Sequence, residues 1–441
     1  MQKFSFEIPI NIRRVMNLIS SYKYNSYIVG GAVRNILLNI PPKDYDLVTD
    51  ASLETLKTIF KYFNIVNNNS FKHNTLTINF GGSNIEISSF PEGLTSFEED
   101  LNHRDFTINS IAYNGVNLIH AKKSIKDLKN KIIRCNGNPK DRFLEDPLRI
   151  LRAIRFKATL GFEIEKDTEQ AFFELKDTLN SISKERIREE FNKILLADNS
   201  FEVFKTYKEI FAVFIPELIQ TFNFDQKNKY HIHDVFEHNL YVMKNVKRDL
   251  ITKLSAFFHD IGKPSSVTSE FIDGKEIFHF YSHSLESKKI TKQILKRLKY
   301  PNIIIDSVCF LIQYHDFVLK NNKKNLKKLL NLMGDNHDFL LPRFIDLVKS
   351  DRLDHVNLKP DNYQDYETDL LNLYEEIKNE KECFSIKNLD INGFDLIKLG
   401  FSEGPKIGLI LNKLLYEVIN NTIPNEKEKL LQKSLEYFQK N

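Results

Sequence analysis

No stretch of this chain approaches the ~18 uninterrupted apolar residues of a membrane-spanning helix, so no membrane contact is expected. The opening residues, 1–14, lack the apolar core of a signal peptide. Cysteine is scarce: Cys135, Cys309 and Cys383 lie far apart and form no CxxC pair. That argues against a disulfide framework and a zinc knuckle, and the expected compartment is the reducing cytoplasm. The content of 41% hydrophobic and 28% charged residues is ordinary for a soluble globular protein. At 441 residues the chain is too long for one compact core, and three or four domains are expected. A net charge of +4 is compatible with a nucleic-acid partner without demanding one. The abundance of Lys, Asn, Ile, Phe and Tyr is the kind AT-rich coding produces, which accounts for part of the basic excess.

Residues 27–49 organise the rest. The apolar run Tyr27-Ile28-Val29 ends on Gly30-Gly31, a short helical segment carries Arg34, and Asp44-Tyr45-Asp46 leads into Leu47-Val48-Thr49. This reads as strand, glycine turn, helix, strand. Side chains alternate faces along a strand, so Asp44 and Asp46 point the same way. Two carboxylates on one face, beside a glycine turn able to cradle phosphate, suit metal-dependent phosphoryl or nucleotidyl transfer.

Periodicity predicts helices over 9–23 and 52–63, the second with Ser52 as N-cap. Two strand-like runs, Thr75–Phe80 and Asn84–Ser88, are joined by Gly81-Gly82-Ser83, a hairpin signal. Glu86 on the second run is either a third acid for Asp44 and Asp46 or an exposed strand-face acid. Arg104 and Asp105 precede a short helix that Asp105 could cap. Further on, Pro147 suits a first helical position and Asp146 the cap before it. Arg149, Arg152 and Arg155 share a helix face whose default is a solvated basic surface. After an amphipathic helix at 184–197 almost no strand pattern is left. Nine of the twelve histidines fall between 231 and 355, interleaved with Asp on helical segments. Packing alone does not explain that density, and imidazole with carboxylate suits a divalent transition metal or Mg²⁺. The basic run 320–330 reads first as a solvated helix face and second as an RNA contact. Residues 388–441 read as a small helical module.

Taken together, GGAVRN, KDYDLVT, RDFTIN and EDPLRILRAIRF resemble the class II tRNA nucleotidyltransferases, the CCA-adding enzymes and their bacterial poly(A) polymerase relatives, of the DNA polymerase beta superfamily. The histidine blocks resemble an HD phosphohydrolase domain, and GFDLIKLGFSEGPKIGLILNKLL resembles the C-terminal segment of long members. The fold the resemblance implies is α+β. A polymerase-beta-like nucleotidyltransferase head spans 1–138, and an all-helical neck that binds base and RNA spans 139–228. An HD domain spans 229–378, and a helical tail that is a candidate tRNA contact spans 379–441.

The same resemblance implies roles. Asp44 and Asp46 would hold Mg²⁺, with Glu86 a candidate third acid. Gly30, Gly31 and Arg34 would meet the triphosphate. Arg104 and Asp105 would read the ribose, Asp105 accepting from a 2′-hydroxyl. Asp146 and Arg149 would act as a protein template for C or A, a pattern that U and G cannot match. Arg152, with Arg155 as a further candidate, would lie near base or phosphates. In the HD region His238, His259, Asp260 and Asp351 would ligate a divalent metal, His283 and His315 being further candidate ligands and Lys263 following as in active members. The implied activity adds C, C and A to the 3′ end of tRNA from CTP and ATP without a nucleic-acid template. A phosphohydrolase activity would be second, or the HD domain would be retained only to shape the RNA surface. The alternatives are a poly(A) polymerase using ATP alone, an HD phosphohydrolase whose head only binds RNA, and a non-catalytic tRNA-binding protein. Departures from the family pattern are Asn35 for the usual Asp, His103 for an Arg, and a 117–128 segment without the usual Asp-Pro and glycines. The segment 87–101 is also short, as in relatives that add only the two cytidines, which leaves addition of the final A open.

Overall fold

The computed structural model describes residues 2–3, 6–66, 74–90, 97–227, 232–247, 249–317, 321–353 and 361–439. The chain forms two compact units, Met1–Phe214 and Ile215–Asn441. This division is coarser than the expected boundaries at 138, 228 and 378.

The first unit begins with an eight-stranded sheet made of β1 (Gln2–Lys3), β2 (Ser26–Val29), β3 (Asp46–Thr49), β4 (Asn64–Ile65), β5 (Thr75–Phe80), β6 (Ser83–Ser89), β7 (Ile111–Tyr113) and β8 (Asn117–His120). Their order is β1-β8-β7-β2-β3-β6-β5-β4. Among the described residues of this sheet, β3 and β6 pair in parallel and the other neighbours antiparallel. The expected β5–β6 hairpin is present, and Gly81 and Gly82 turn it with φ of 62° and 79°, the double positive φ that a two-residue hairpin loop requires. Ile28, Leu47, Ile85 and Ile87 from the central strands are fully buried. Helices α1 (Ile10–Ser21), α2 (Gly31–Leu37), α3 (Leu53–Ile59), α4 (Phe97–His103) and α5 (Ser124–Lys129) accompany the sheet. Ser52 caps α3 by accepting the Thr55 N–H, as its sequence position predicts.

The rest of the first unit is mostly helical. It contains α6 (Pro139–Glu145), α7 (Leu148–Leu160), α8 (Lys166–Leu175), α9 (Lys184–Leu195), α10 (Ser200–Thr206) and α11 (Lys208–Ala212), plus a short parallel pair of β9 (Ile132–Ile133) and β10 (Glu163–Ile164). The apolar stripe of α7, including Ile150, Leu151 and Ile154, and that of α9, including Ile187, Phe191 and Ile194, are buried, and the two helices pack together. The basic face of α7 is not the solvated surface expected by default. Arg149 and Arg155 expose only 16% and 14% of their side chains, and each has an acidic partner.

The second unit is built from α12 (Val235–Asn245), α13 (Leu250–Phe258), α14 (His283–Arg297), α15 (Asn302–Tyr314), α16 (Lys323–Met333), α17 (His337–Leu353), α18 (Asp361–Asn379), α19 (Gly393–Lys398), α20 (Pro405–Ile419) and α21 (Lys427–Gln439). It departs from the near-absence of strands expected there by one antiparallel hairpin, β11 (Thr268–Ile272) with β12 (Lys275–His279). Every residue of β11 is exposed, so no buried face imprints alternating hydrophobicity on its sequence. Asp273 and Gly274, with φ of 51° and 74°, make its turn. In the basic run, Lys327 is buried and paired with Glu382, while Lys323 meets Glu380 and Glu382; Lys320 lies outside the described residues. The tail residues pack in a cluster around Leu396, Leu414, Leu415 and Leu430, within the second unit. No described helix is long and apolar enough to cross a membrane.

Candidate active site and metal centre

The sheet register places Asp46 directly across the parallel β3–β6 pair from Glu86. Asp44 precedes β3 by two residues and is exposed. The residue surface of Asp46 is open to solvent, yet the protein around its carboxylate desolvates it. Together with Glu86 and Asp44, and against the pull of Arg104, that raises its pKa to about 6. The carboxylates repel one another, an arrangement a divalent cation relieves. The donor set fits a hard cation such as Mg²⁺. The three acids do not draw their oxygens within 4.8 Å of one another as the histidine clusters below do.

Gly30 sits at φ 64° between β2 and α2. A Cβ there would come within 3.3 Å of Arg104 Nη1, so glycine lets the Arg104 guanidinium lie against the turn. The Gly30 N–H already donates to Ile111 O at 3.2 Å. Its contribution is therefore the turn and the approach of Arg104, not an amide for phosphate as expected. Arg104 is also held by Asp100, Nη2 to Oδ2 at 3.2 Å. It thus lies against the glycine turn and close enough to Asp46 to oppose the rise in that carboxylate's pKa.

Arg34 is buried. Its guanidinium donates to Asn35 Oδ1 and, at 2.6 Å, to Asn109 Oδ1. Burial and the nearby Arg155 and Arg152, partly offset by Asp105, lower its pKa to about 10, so it stays cationic at neutral pH. It lies 4.9 Å from the centroid of Phe156, which also carries Arg155 at 4.4 Å. Burial lowers the pKa of Arg155, while its ion pair with Glu190 opposes the shift.

Asp105 differs most from its expected role. Oδ1 accepts from the Phe106 N–H at 2.8 Å and Asn109 Nδ2 at 2.9 Å, and Oδ2 accepts from Arg152 Nε and Nη2 at 2.9 and 2.6 Å. A carboxylate offers about four acceptor positions, and all are taken. Burial alone would raise the pKa of Asp105, but Arg152, Asn109 and the Phe106 N–H hold it below the ordinary carboxylate value. Instead of presenting a bare carboxylate to a ribose, Asp105 positions Arg152. A chain Arg34–Asn109–Asp105–Arg152 thereby links α2 to α7.

Asp146 occupies the extended break between α6 and α7, with φ −146° and ψ 96°. Oδ1 accepts the Leu148 N–H at 3.2 Å, and Oδ2 accepts Arg186 Nη2 at 2.9 Å. Arg149 Nη1 donates to Glu145 Oε2 and Arg142 O, both at 2.8 Å. Asn109, Phe156, Glu145 and Arg186 were not singled out from the sequence. Asn109 and Glu145 stand inside the quoted motifs RDFTIN and EDPLR; nothing local marks Arg186.

In the second unit His238 on α12, His259 and Asp260 just after α13, and Asp351 near the end of α17 come together as expected. His238 Nε2 lies 3.2 Å from His259 Nε2 and 3.1 Å from Asp351 Oδ1. Asp260 Oδ2 is 3.4 Å from both imidazoles and 2.5 Å from Lys263 Nζ. The candidates His283 and His315 converge on the other oxygen, Oδ1, at 3.1 and 3.5 Å, with Asp316 beside them at 3.3 and 3.4 Å. Asp316 was not foreseen. Among the described residues two three-ligand clusters result, His238/His259/Asp260 and Asp260/His283/His315, with all ligand atoms within 4.8 Å. Backbone carbonyls hold the Nδ1 of three rings: Ala256 O for His259, Phe280 O for His283 and Ile312 O for His315. A proton fixed on Nδ1 leaves Nε2 as the ligating lone pair. Asp260 Oδ1 is buried without a hydrogen-bond partner, and a metal ion is the group that would satisfy it. Burial would raise the pKa values of Asp260 and Asp351, but the imidazoles, with Lys263 at Asp260, hold both well below the ordinary value. His231 and His355 lie outside the described residues, as do positions 91–96 of the short 87–101 segment.

Comparisons with known proteins agree with this geometry. The model "Poly A polymerase head domain" matches residues 26–94 and 91–134. The "RNA and SrmB- binding site of polymerase A" model matches 161–221, and "tRNA nucleotidyltransferase domain 2" matches 270–433. A CCA-adding enzyme of Lactobacillus delbrueckii subsp. bulgaricus is 37% identical over 208 residues, covering 44% of this chain and 52% of that enzyme. In that match the chain spans about half the length of its relative. The CCA-adding enzyme of Ligilactobacillus salivarius is 29% identical over 96% of both chains. Among solved structures, the Bacillus stearothermophilus CCA-adding enzyme in complex with CTP aligns with a TM-score of 0.72 at 24% identity, over 98% of this chain and 97% of that one. The Thermotoga maritima CCA-adding enzyme complexed with tRNA aligns at 0.59 with 21% identity, over 97% and 94%. At these identities the structural likeness speaks to the fold. A matched polymerase-type head, matched RNA-binding and C-terminal segments and relatives aligned over nearly the whole chain make it similar, along most of its length, to the class II tRNA nucleotidyltransferases.

Proposed function

We propose that the protein adds C, C and A to the 3′ end of tRNA from CTP and ATP, without a nucleic-acid template and in the cytoplasm. The observation that carries this reading is the Asp46–Glu86 register pair beside the Gly30 turn and Arg104. Asp44 and Asp46, with Glu86 adjacent, would hold Mg²⁺. Bound there, Mg²⁺ would lower the pKa of the RNA 3′-hydroxyl and stabilise charge on the leaving pyrophosphate. Arg104 faces the phosphates, Arg152 is fixed by Asp105 on the neck side, and Asp146 and Arg149 offer an acceptor and donors to the base. The test uses tRNA transcripts ending at the discriminator base, at C and at CC, each with single nucleoside triphosphates. CTP should extend the first two and ATP the third, and Asp44→Ala should abolish both. Failure of CTP on every transcript overturns the reading; extension of the discriminator end by ATP alone identifies a poly(A) polymerase. Refusal of ATP by the CC end identifies CC-only addition.

A second reading concerns the other unit and rests on the buried Asp260 Oδ1, without a hydrogen-bond partner, on which two imidazoles converge. His238, His259, Asp260 and Asp351 would hold a divalent metal, and His283 and His315 could take another through Asp260. The chemistry such a centre supplies is activation of water for phosphoester hydrolysis. Lys263 would neutralise charge on the ester. Metal content and phosphatase activity on RNA phosphate ends, measured for wild type and Asp260→Ala, test it; wild-type protein with neither metal nor activity sinks it.

A further inference from the structure

Asp146 and Arg149 carry opposite charges one helical turn apart, as the backbone bond from Arg149 N–H to Asp146 O at 3.0 Å shows. Oppositely charged side chains at that spacing attract each other. If these two closed on one another, neither would be left for a base. The structure keeps them apart. Arg186, from the first turn of α9, takes Asp146 Oδ2 at 2.9 Å. Glu145, the last residue of α6, takes Arg149 Nη1 at 2.8 Å and is itself gripped by Arg142 Nη1 at 2.7 and 2.9 Å. Each member of the pair therefore has a counter-ion from elsewhere.

We propose that Arg186 and Glu145 are positioning residues for nucleotide choice: they hold the Asp146/Arg149 pair open so that its free edge meets the incoming base. This rests on the nucleotidyl-transfer reading above. A carboxylate accepts about four hydrogen bonds. Leu148 N–H and Arg186 take one each, so Asp146 keeps acceptor capacity. Nε and Nη2 of Arg149 have no hydrogen bond among the described residues, so it keeps donors. An acceptor beside a donor matches the exocyclic amine and neighbouring ring nitrogen of cytosine and adenine. Uracil and guanine would turn a carbonyl toward the carboxylate. Asp146 needs the tether because it lies in an extended break, where no helix packing fixes its side chain. Arg186 is half-exposed and Asp146 29% exposed, so the pair lies open to solvent and substitution at 186 removes no core contact.

The experiment compares wild type, Arg186→Ala, Arg186→Lys and Glu145→Gln in single-nucleotide extension of tRNA transcripts, with all four triphosphates and full KM and kcat determination. Arg186→Ala should raise KM for CTP and ATP about tenfold and lower discrimination against UTP about tenfold, with kcat at saturation held within about twofold. Arg186→Lys should recover a substantial part of both, because a lysine still caps a carboxylate as a point charge. Glu145→Gln should shift discrimination in the same direction. Unchanged KM and discrimination in Arg186→Ala overturn the proposal. So does a loss confined to kcat, or equal impairment by Ala and Lys. Wild type in the same assay separates the cases: if it incorporates no CTP, the nucleotidyl-transfer reading has failed, not the positioning one.

Discussion

Asp46 answers to two opposing influences. Its carboxylate must be ionised to hold a cation, yet its surroundings favour the proton up to about pH 6. Between the ordinary value of 3.8 and that pH, the metal-free protein carries a proton there that the ion must displace. Affinity of the head for Mg²⁺ or Mn²⁺ should therefore weaken as pH falls through about 6, with proton release on binding at pH 5.5 and little at pH 8. Titration calorimetry in buffers of different ionisation heat measures both. Asp105 makes the opposite case, a carboxylate that is paired on every side. Asp105→Asn leaves Arg152 mostly buried without its counter-charge and should destabilise the first unit by about 2–3 kcal/mol, read as a lower melting temperature. The identities of both residues could be read from short motifs. Their partners could not: Arg152 is 47 residues from Asp105, and Arg186 is 40 from Asp146. Sequence spacing identifies neighbours only inside one element, whereas these pairs are made by packing.

Among the elements, helix beginnings with a strong cap and the glycine hairpin were readable, because Ser52 and Gly81-Gly82 act through local backbone chemistry. The β11–β12 hairpin was not, since its first strand buries nothing. The contact between the end of α13 and the start of α14 was equally hidden, and it depends on one glycine. A Cβ on Gly262 would fall 2.4 Å from Ser287 N and 2.9 Å from His283 O, both backbone atoms. Gly262→Ala should push the first turn of α14 away and carry His283 with it. The expected outcome is loss of metal from the second pocket, by elemental analysis, with CTP incorporation by the head unchanged. Retention of metal at wild-type stoichiometry would show that α14 absorbs the methyl group without moving.

On the scale of the whole molecule, the two candidate centres belong to different compact units. Asp44→Ala should leave the metal content of the second pocket intact, and Asp260→Ala should leave nucleotidyl transfer intact. The second pocket also has its own pH signature. Burial opposes protonation of His259 and His315, but the adjacent Asp260, Asp351 and Asp316 win and raise both pKa values. In the metal-free protein their stabilising effect is complete below the ordinary 6.5 and is lost as pH rises through the raised values. Metal binding needs neutral imidazole, so it should strengthen with pH over the same window. Thermal melts with and without chelator across pH 6–9 should diverge toward alkaline pH, reaching about 3 kcal/mol when free metal is near a hundred times its Kd.

Asp260 belongs to both histidine clusters, each oxygen turned to a different one. The pocket therefore has a shared vertex, and occupancy counts become diagnostic. Removing His315 should subtract one equivalent of metal from a two-equivalent protein, as should removing His238, whereas removing Asp260 should subtract both. A pocket built for one ion would lose everything on the His238 side and nothing on the His315 side. Stoichiometry in three single variants thus distinguishes a paired centre from a solitary one without knowledge of its substrate.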